Sequence, residues 1–380
     1  MADHLPHSGL RAGGPSSSAA GQPAVASGAS SGQLDADRTA VSKSSTKSGR
    51  HVGSRYAALD LGTNNCRLLV AEPNRQGPGF KVTDAFSRIV RLGEGVEQSG
   101  ILSDAAVDRT LSALRVCANK MRRANVSRAR TVATEACRRA NNGDDFLRRV
   151  RQETGIDLEI INPGEEAALA LAGCAPLIDP DCENALVFDI GGGSTELIWV
   201  EIDKTNDGEA RVLGWTSLAL GVVTLTERYG GQEIAPEAYR QMVEFVAGEL
   251  TAFEDGHGIR DIAAGGVAHM LGTSGTVTTL AAVHLGLPRY DRSKVDGIWI
   301  DVDDISRVSA LLGGMNFEDR AQHSCIRRAR ADLVIAGCAI MEAIIQTWPM
   351  QRLRVADRGL REGMLNQMMA ADQTISRETN

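Results

Sequence analysis

This sequence has few aromatic residues and no excess of positive charge. Phe, Trp and Tyr make up 4% of its 380 residues, and its formal net charge is −7. A core with so few aromatic side chains must be built from Ala, Leu, Val and Ile. The mild acidity argues against general nucleic-acid binding, which requires a basic surface. The length and the 43% of hydrophobic residues are typical of a globular protein with two domains of ordinary size.

Long apolar runs and paired cysteines are also absent. No stretch approaches the roughly 18 apolar residues of a membrane-spanning helix, and the N-terminus lacks the apolar core of a secretory signal. We therefore expect no membrane association. The seven cysteines form no C-x-x-C pair, which predicts reduced thiols in a cytoplasmic protein rather than disulfides or a zinc site. Residues 1–53 are rich in Ser, Gly, Ala and Pro and are predicted to form a disordered tail.

Three common catalytic patterns are missing as well. The seven histidines form no metal-binding pair on a predicted helix, which argues against a histidine-based metal site. No adjacent His-Asp pair appears, so a Ser-His-Asp triad has no support. The P-loop signature, in which a lysine follows the last glycine, is absent too.

Apolar strands and amphipathic helices alternate from residue 56 onward, which predicts an α/β fold. A helix is expected to begin at Ser103, a suitable N-cap, and its apolar stripe includes Val107 and Leu111. Strands are predicted over residues 57–59, 66–71, 130–134, 158–161, 185–188, 197–201 and 353–356. Further helices are predicted over residues 144–153, 165–174, 236–250, 277–285, 304–312, 331–346 and 357–368.

One strand–turn–strand unit occurs twice in the sequence. Moving the segment that begins with Asp60-Leu61-Gly62 forward by 129 positions aligns it, without a gap, with the segment that begins at Asp189. Two unrelated hairpins with glycine turns would explain the same letters. A repeated unit instead favours a fold built from two similar halves.

The second copy of this unit carries the sharpest chemical signal, the segment DIGGGSTE at residues 189–196. Three consecutive glycines, Gly191 to Gly193, allow the backbone to turn several N–H groups toward one point, and such nests bind phosphate oxygens. Ser194 adds a hydroxyl donor, and Asp189 could hold a metal ion directly or through water. A flexible turn is the plain alternative, but three glycines between apolar strands are uncommon for a turn alone.

Two further loops support a phosphate site more weakly. The turn DLGTN at residues 60–64 is ordinary by itself and becomes informative only as the opposing wall of a cleft. The loop GTSGT at residues 272–276 precedes a predicted helix, whose free N–H groups and dipole favour anions. A helix start capped by Ser274 or Thr276 would look the same.

Paired glutamates open the predicted helix at residues 165–174. Acids are favoured electrostatically in a first helical turn, so Glu165 and Glu166 have a structural explanation. An ionised glutamate can also accept a proton from attacking water or bind Mg²⁺. Glu196 directly follows the glycine loop and could reach the same phosphate. Arg138 could bind phosphate through two hydrogen bonds, although a place on the surface is the simpler interpretation.

Taken together, these segments resemble the exopolyphosphatase / guanosine pentaphosphate phosphatase (Ppx/GppA) family. The resemblance covers about residues 55–368, and the order and spacing of the motifs fit throughout. The segments that carry it are AALDLGTN at 57–64, VATEACR at 132–138, NPGEEA at 162–167, FDIGGGSTEL at 188–197, GTSGT at 272–276 and LREG at 360–363.

The resemblance implies the superfold of actin, sugar kinases and heat-shock ATPases. In that fold, two ribonuclease-H-like domains enclose a cleft. The corresponding boundaries are residues 54–178 for the first domain and 179–345 for the second. Residues 346–380 are then expected to form a C-terminal segment that packs back on the first domain.

The resemblance also implies hydrolysis of the terminal phosphoanhydride of polyphosphate, or removal of the 5′ γ-phosphate of guanosine pentaphosphate, with Mg²⁺ as cofactor. Glu166 would activate the attacking water, and Glu196 would assist or bind metal. The candidate metal ligands are Asp60, Glu166 and Asp189. The residues expected to contact phosphate are Gly62, Thr63, Asn64, Arg138, Gly191, Gly192, Gly193, Ser194, Gly272, Ser274, Gly275 and Thr276. A homodimer is a further expectation.

Two departures from the family pattern affect these expectations. Arg358 stands where a small residue is frequent, and the extra helical C-terminal domain of longer family members has no counterpart in this sequence. We therefore do not expect the processivity on long chains that this domain supports. A kinase or ATPase of the same superfold and a non-catalytic sensor of guanosine tetra- or pentaphosphate remain alternatives, and the choice between the two phosphatase substrates is open.

Overall fold

The computed structural model describes residues 54–74, 77, 79–205 and 209–378, so the predicted tail at residues 1–53 lies outside the described residues. The strands are β1 (Tyr56–Leu61), β2 (Asn65–Pro73), β3 (Phe80–Ile89), β4 (Arg128–Ala133), β5 (Glu159–Ile160), β6 (Asn184–Ile190), β7 (Thr195–Asp203), β8 (Glu209–Leu218), β9 (Ala268–Thr273), β10 (Trp299–Asp301) and β11 (Arg352–Val355). The helices are α1 (Val96–Ser99), α2 (Asp104–Arg123), α3 (Glu135–Arg139), α4 (Gly143–Thr154), α5 (Pro163–Cys174), α6 (Val222–Tyr229), α7 (Pro236–His257), α8 (Ile259–Ala264), α9 (Ser274–His284), α10 (Arg292–Val295), α11 (Val302–Gly313), α12 (Phe317–Gln322), α13 (Val334–Thr347) and α14 (Leu360–Glu378).

The strands form two mixed sheets with a shared topology. The first sheet has the order β3-β2-β1-β4-β5, in which β1, β2 and β3 are antiparallel neighbours and β4 and β5 run parallel to β1. The second has the order β10-β11-β9-β6-β7-β8, with β6, β7 and β8 antiparallel and β9 and β11 parallel to β6. Strand β10 adds an antiparallel edge. The predicted α/β class is confirmed.

The register of the strands confirms the internal repeat. Leu61 pairs with Cys66 across the first turn, and Ile190 pairs with Thr195 across the second. One backbone hydrogen bond closes each turn. In the first turn, the N–H of Gly62 donates to the carbonyl oxygen of Asn65 at 2.9 Å, and in the second, the N–H of Gly191 donates to that of Ser194 at 3.0 Å. The two hairpins are therefore copies in geometry as well as in sequence.

Local signals explain where the helices of the first half begin. The Ser103 hydroxyl accepts a hydrogen bond from the backbone N–H of Ala106 and caps α2, as expected of an N-cap serine. The Asn162 side chain accepts from the N–H of Glu165 at the start of α5, where Pro163 takes the first helical position. These caps place Glu165 and Glu166 in the first turn of α5.

Helices cover the outer face of each sheet, and a helix pair fills the space between them. Helices α2 and α4 pack on the outer face of the first sheet, and α7, α9 and α13 pack on that of the second. Between the sheets, Leu169 of α5 packs with Met364 and Leu365 of α14 against the first sheet. Ala167 and Cys174 of α5 pack against the second. Helix α5 therefore touches both halves.

The described part of the predicted C-terminal segment, residues 346–378, divides between the two halves. Strand β11 completes the second sheet beside β9, whereas α14 returns to β1 and α5 of the first half. Glycine allows α5 and α14 to approach closely, because a Cβ atom at Gly173 would lie 2.0 Å from the Gly359 carbonyl oxygen, and one at Gly363 would lie 2.0 Å from that of Leu169. Within the described ranges, no helix is both long and apolar enough to cross a membrane.

Candidate functional site

The two repeated turns lie against each other. A Cβ atom at Gly192 would come within 3.1 Å of the Thr63 Cβ and 3.2 Å of the Asn64 backbone nitrogen, and one at Gly193 would come within 2.5 Å of the Thr63 Oγ1. Any side chain larger than hydrogen at Gly193 would therefore collide with the opposite turn. The structure brings the predicted phosphate loops of the two halves into direct contact.

Four buried carboxyl groups surround these turns. Burial raises the pKa of Asp189 to about 6, and Asp60 raises it further while Arg67 partly opposes the shift. Burial also raises the pKa of Asp60, against the effect of Arg67. The carboxyl of Glu196 is 2% exposed, and burial followed by the charges of Glu166 and Asp189 raises its pKa well above the usual range. The site therefore brings several acidic groups together in a poorly hydrated volume, which favours their protonated forms.

Glu166 is held by an arginine that carries two acidic partners. The Arg138 guanidinium donates to Glu166 Oε2 at 2.8 Å and to Glu135 Oε2 at 3.1 and 2.8 Å. It also donates to the carbonyl oxygen of Ile161 at 2.8 Å. Burial raises the pKa of Glu166 to about 7, although the charge and hydrogen bond of Arg138 oppose the shift.

Arg138 is thus not the surface residue that the simpler interpretation expected. Its side chain is 14% exposed, and four of the five N–H groups of an arginine are already engaged by protein oxygens. The phosphate contact of Arg138 stays a prediction, with one N–H group left to make it.

Glu196 lies on β7 directly opposite Asp189 of β6. Its Oε1 accepts a hydrogen bond of 2.9 Å from the Ser217 hydroxyl on β8. The hydroxyl of Ser194 also stabilises its charged form. Glu196 therefore lies close enough to Asp189 and Glu166 for their charges to act on it, and neighbouring hydroxyl groups orient its carboxyl group.

A cavity of about 700 Å³ opens beside the two turns. The predicted site residues in its wall are Asp60, Asn64, Asp189, Gly191, Gly192, Ser274, Gly275 and Thr276. The remaining predicted residues are outside this wall, namely Gly62, Thr63, Arg138, Glu166, Gly193, Ser194, Glu196 and Gly272. Gly272 lies within β9, and a Cβ atom there would be 2.7 Å from the Phe188 ring. The structure thus gives Gly272 a packing role.

Sequence reasoning missed the arginines of this cavity. Seven arginines line it, and two of them, Arg292 and Arg358, are ion-paired. The other five form no ion pair with any carboxylate of the described part of the chain: Arg67, Arg289, Arg327, Arg330 and Arg361. Arg67 comes from β2, Arg289 from the loop before α10, Arg327 and Arg330 from the segment between α12 and α13, and Arg361 from α14. Only Arg67, close to the first repeated turn, and Arg361, within the segment LREG, were within reach of a motif argument.

Arg330 is the most constrained of these arginines. Its Nη1 lies 2.8 Å from where a Cβ atom of Gly275 would be, which places the cation at the positive N-terminus of α9. Its Nη2 donates to the Asn65 Oδ1 at 3.2 Å, while its Nε is buried without a partner among the described residues. Burial lowers its pKa to about 10, and Arg67 and Arg327 contribute to the decrease. This end of the cavity therefore has uncompensated positive charge.

No preformed metal site accompanies the carboxyl groups. Among the residues that the structure describes, no three His, Cys, Asp or Glu side chains converge in an arrangement that could hold a metal ion. One neutral oxygen is available, because the Asn64 Oδ1 is buried and has no hydrogen-bond partner there. It lines the same cavity as Asp60 and Asp189, so the oxygen donors that Mg²⁺ prefers are at hand.

Comparison with known proteins gives a consistent result. Residues 70–372 match the model of the Ppx/GppA phosphatase family. The chain is 30% identical over 298 residues to exopolyphosphatase 2 of Mycobacterium tuberculosis, which covers 77% of this chain and 90% of that protein. A solved structure of the Ppx/GppA family member of Aquifex aeolicus is 28% identical, with a TM-score of 0.67, and the match covers 84% of this chain and 98% of that one.

A more distant structure extends the similarity in fold. An exopolyphosphatase from Cytophaga hutchinsonii has a TM-score of 0.74 at 23% identity, over 84% of this chain and 98% of that chain. At this identity the likeness concerns the fold alone. Together with the duplicated sheet topology, these relatives confirm the expected α/β architecture with two similar halves of the actin-like superfold.

Proposed function

The chain belongs to the Ppx/GppA phosphatase family, and on this basis we propose that it releases terminal phosphate from inorganic polyphosphate, or converts guanosine pentaphosphate to the tetraphosphate. The observation that carries the proposal is the pairing of opposite charges at one cleft. Five arginines that form no ion pair within the described part of the chain line a cavity that borders two buried aspartates. A polyanion that is cut at its end needs both features.

The arginines supply the binding part of this proposal. Guanidinium groups match phosphate oxygens through paired hydrogen bonds, and the N-terminus of α9 adds free N–H groups and its dipole. Burial and two neighbouring arginines lower the pKa of Arg330. A bound anion would therefore offset the repulsion between these guanidinium groups. A substrate with roughly one negative charge per phosphate provides such an anion.

Glu166 supplies the chemical part. Its pKa of about 7 is near the optimum for a general base at neutral pH. In the proposed step, water attacks the terminal phosphorus, the phosphoanhydride P–O bond breaks, and the water proton passes to the Glu166 carboxylate. Glu196 assists from β7, where Ser217 orients its carboxylate. The remaining N–H group of Arg138 and the hydroxyl of Ser194 would stabilise the charge that develops on the phosphoryl oxygens.

Mg²⁺ is the proposed cofactor, and the donor set fits it. Asp60, Asp189 and the unpartnered Asn64 Oδ1 would hold the ion. The described residues do not provide a complete set of side-chain ligands for a metal ion. This agrees with the preference of Mg²⁺ for one or two carboxylates together with substrate phosphates. When bound, Mg²⁺ would neutralise charge on the transferred phosphoryl group.

Location and assembly are further parts of the proposal. All seven cysteines are free, which supports the proposed cytoplasmic location. A homodimer remains a proposal that analytical ultracentrifugation would test.

The test is phosphate release from purified protein with Mg²⁺, measured on polyphosphate and on guanosine pentaphosphate at equal concentrations of phosphate ends. We expect Glu166→Gln to lower kcat by about 100-fold or more. Glu165→Gln is the matched control, because Glu165 lies in the same helical turn but pairs with Arg130 near the surface. Near-normal turnover in Glu166→Gln would reject the assigned base.

Two further results would select the alternatives. Transfer of phosphate from ATP to an acceptor, without free phosphate, would identify a kinase. Tight calorimetric binding of guanosine pentaphosphate without turnover would identify a sensor.

A further inference from the structure

Glu135, the first residue of the short helix α3, is a buried acid that none of the roles above employs. It is 9% exposed, and one helical turn separates it from Arg138 on the same helix. Two N–H groups of Arg138, on Nε and on Nη2, converge on one oxygen of Glu135. Such a two-point contact fixes the plane of the guanidinium group.

The contact places Arg138 between two acids. Arg138 connects Glu135 Oε2 with Glu166 Oε2, and the three side chains are between 11% and 15% exposed. Burial lowers the pKa of Arg138, but the charges and hydrogen bonds of Glu166 and Glu135 outweigh burial, so its pKa is raised. When both acids are ionised, the group of three carries a net charge of −1 in a poorly hydrated place.

The second acid adds a buried charge to the Arg138–Glu166 pair. A neutral Arg138–Glu166 pair would bury one charge fewer, and burying an additional carboxylate costs free energy unless other contacts offset it. Two hydrogen bonds from Arg138 and the place of Glu135 in the first turn of α3 offset part of this cost, so an effect on the orientation of Arg138 has to be measured separately from stability.

Glu135 also touches the glycine loop of the other half. A Cβ atom at Gly193 would lie 3.1 Å from the Cγ of Glu135. The same side chain thus contacts the loop proposed to bind phosphate and, through Arg138, the proposed base. Glu135 therefore lies between the glycine loop and the proposed base.

We propose that Glu135 is a positioning residue, which orients the Arg138 guanidinium so that Arg138 holds the Glu166 carboxylate at a set place beside the Gly193 loop. The inference rests on the proposed function, because it assigns Glu135 an effect on phosphate release. A base that is displaced by up to about 1 Å lowers the rate of the chemical step far more than it lowers substrate affinity.

The central test is Glu135→Gln, which keeps the size of the side chain and removes its charge. We expect kcat for phosphate release to fall about tenfold or more, with KM changed by less than about threefold. Glu135→Asp keeps the charge and is expected to recover part of the lost kcat. The matched control is Asp145→Asn, because Asp145 forms an ion pair with Arg148 at the same three-residue spacing but is 70% exposed.

A double-variant cycle separates positioning from other effects. Arg138→Lys retains the positive charge but cannot make the forked contact. If Glu135 acts through Arg138, the effect of Glu135→Gln on kcat should shrink to about twofold or less in the Arg138→Lys background. An undiminished effect in that background would overturn the proposal.

The remaining outcomes are also decisive. Thermal unfolding and circular dichroism of each variant exclude a general loss of structure, and if Glu135→Gln does not fold, Glu135→Asp with the same cycle provides the test. If the wild type is active and the folded Glu135→Gln variant has an unchanged kcat, the role of Glu135 is rejected, but the proposed function is not. A wild type that releases no phosphate from either substrate rejects the proposed function, and this inference with it, before any variant is needed.

Discussion

Replacing Gly193 with alanine adds one methyl group at the contact between the two halves. The new Cβ atom would lie 2.5 Å from the Thr63 Oγ1, 3.1 Å from the Glu135 Cγ and 3.3 Å from the Thr63 Cβ. Ordinary contact distances between such atoms are about 3.5 Å or more. The turns at residues 62–64 and 191–193 must therefore separate by up to about 1 Å, since Thr63 is buried and has little room to rotate.

The expected cost follows from overpacking. Forcing one methyl group into a tight contact destabilises a protein by about 1–3 kcal/mol. Because the clash acts across the cleft, we expect it to displace the glycine loop relative to Glu166 and to lower kcat by about tenfold or more. Both effects should be visible together, in the unfolding curve and in the rate of phosphate release.

The assay combines thermal unfolding with steady-state kinetics for four proteins. Gly248→Ala is the control, because nothing lies within 4 Å of a Cβ atom at this position in α7, and alanine there should stabilise the helix slightly. Thr63→Ala and the double variant Thr63→Ala/Gly193→Ala complete the set. Without the Thr63 hydroxyl the closest contact is 3.1 Å, so Gly193→Ala should cost much less in that background.

One result would refute the reasoning. If Gly193→Ala retains the stability and the kcat of the wild type, the two turns do not touch in solution, and the contact between the halves described above is wrong.

Three other predictions address charge at the site. Because the pKa of Glu166 is raised to about 7, the base is protonated below that value; kcat/KM should rise as pH increases through about 7, and the pH–rate profile of Glu166→Gln should lack this limb. Arg330→Gln should raise KM by about tenfold and weaken its dependence on salt, since a phosphate contact is lost; Arg328→Gln, whose exposed parent residue pairs with Glu318, should leave KM unchanged in the same assay. Arg358→Ser removes the partly buried ion pair with Asp296 and should lower the free energy of unfolding by about 1 kcal/mol, measured by urea denaturation, while an unchanged midpoint would show that the pair contributes nothing.

Much of the fold could be predicted from local signals. Agreement with the structure extends to the cap of α2, the position of α5, the two repeated turns and the apolar strands β1, β2, β6 and β7. Four strands were missed. Two of them are the three-residue edge strand β10 and the buried strand β9, of which only the end was interpreted, as the loop GTSGT. The other two, β3 and β8, lie at the edge of a sheet. Their residues alternate between partly exposed and exposed along much of their length, so they lack the continuous apolar run that identified the buried strands.

Within the site, the sequence by itself determined the loops and the acids that belong to local motifs, including Gly191–Gly193, Glu166 and Glu196. Only the tertiary structure decided which charges meet. It placed Arg330 beside Arg67 at the start of α9, and it set Arg138 between Glu135 and Glu166. Backbone turns and caps depend on a few neighbouring residues, and such signals can be read from the sequence. Charge compensation depends on distances between residues that can be 265 positions apart, as Arg330 and Asn65 are, and folding alone brings them together.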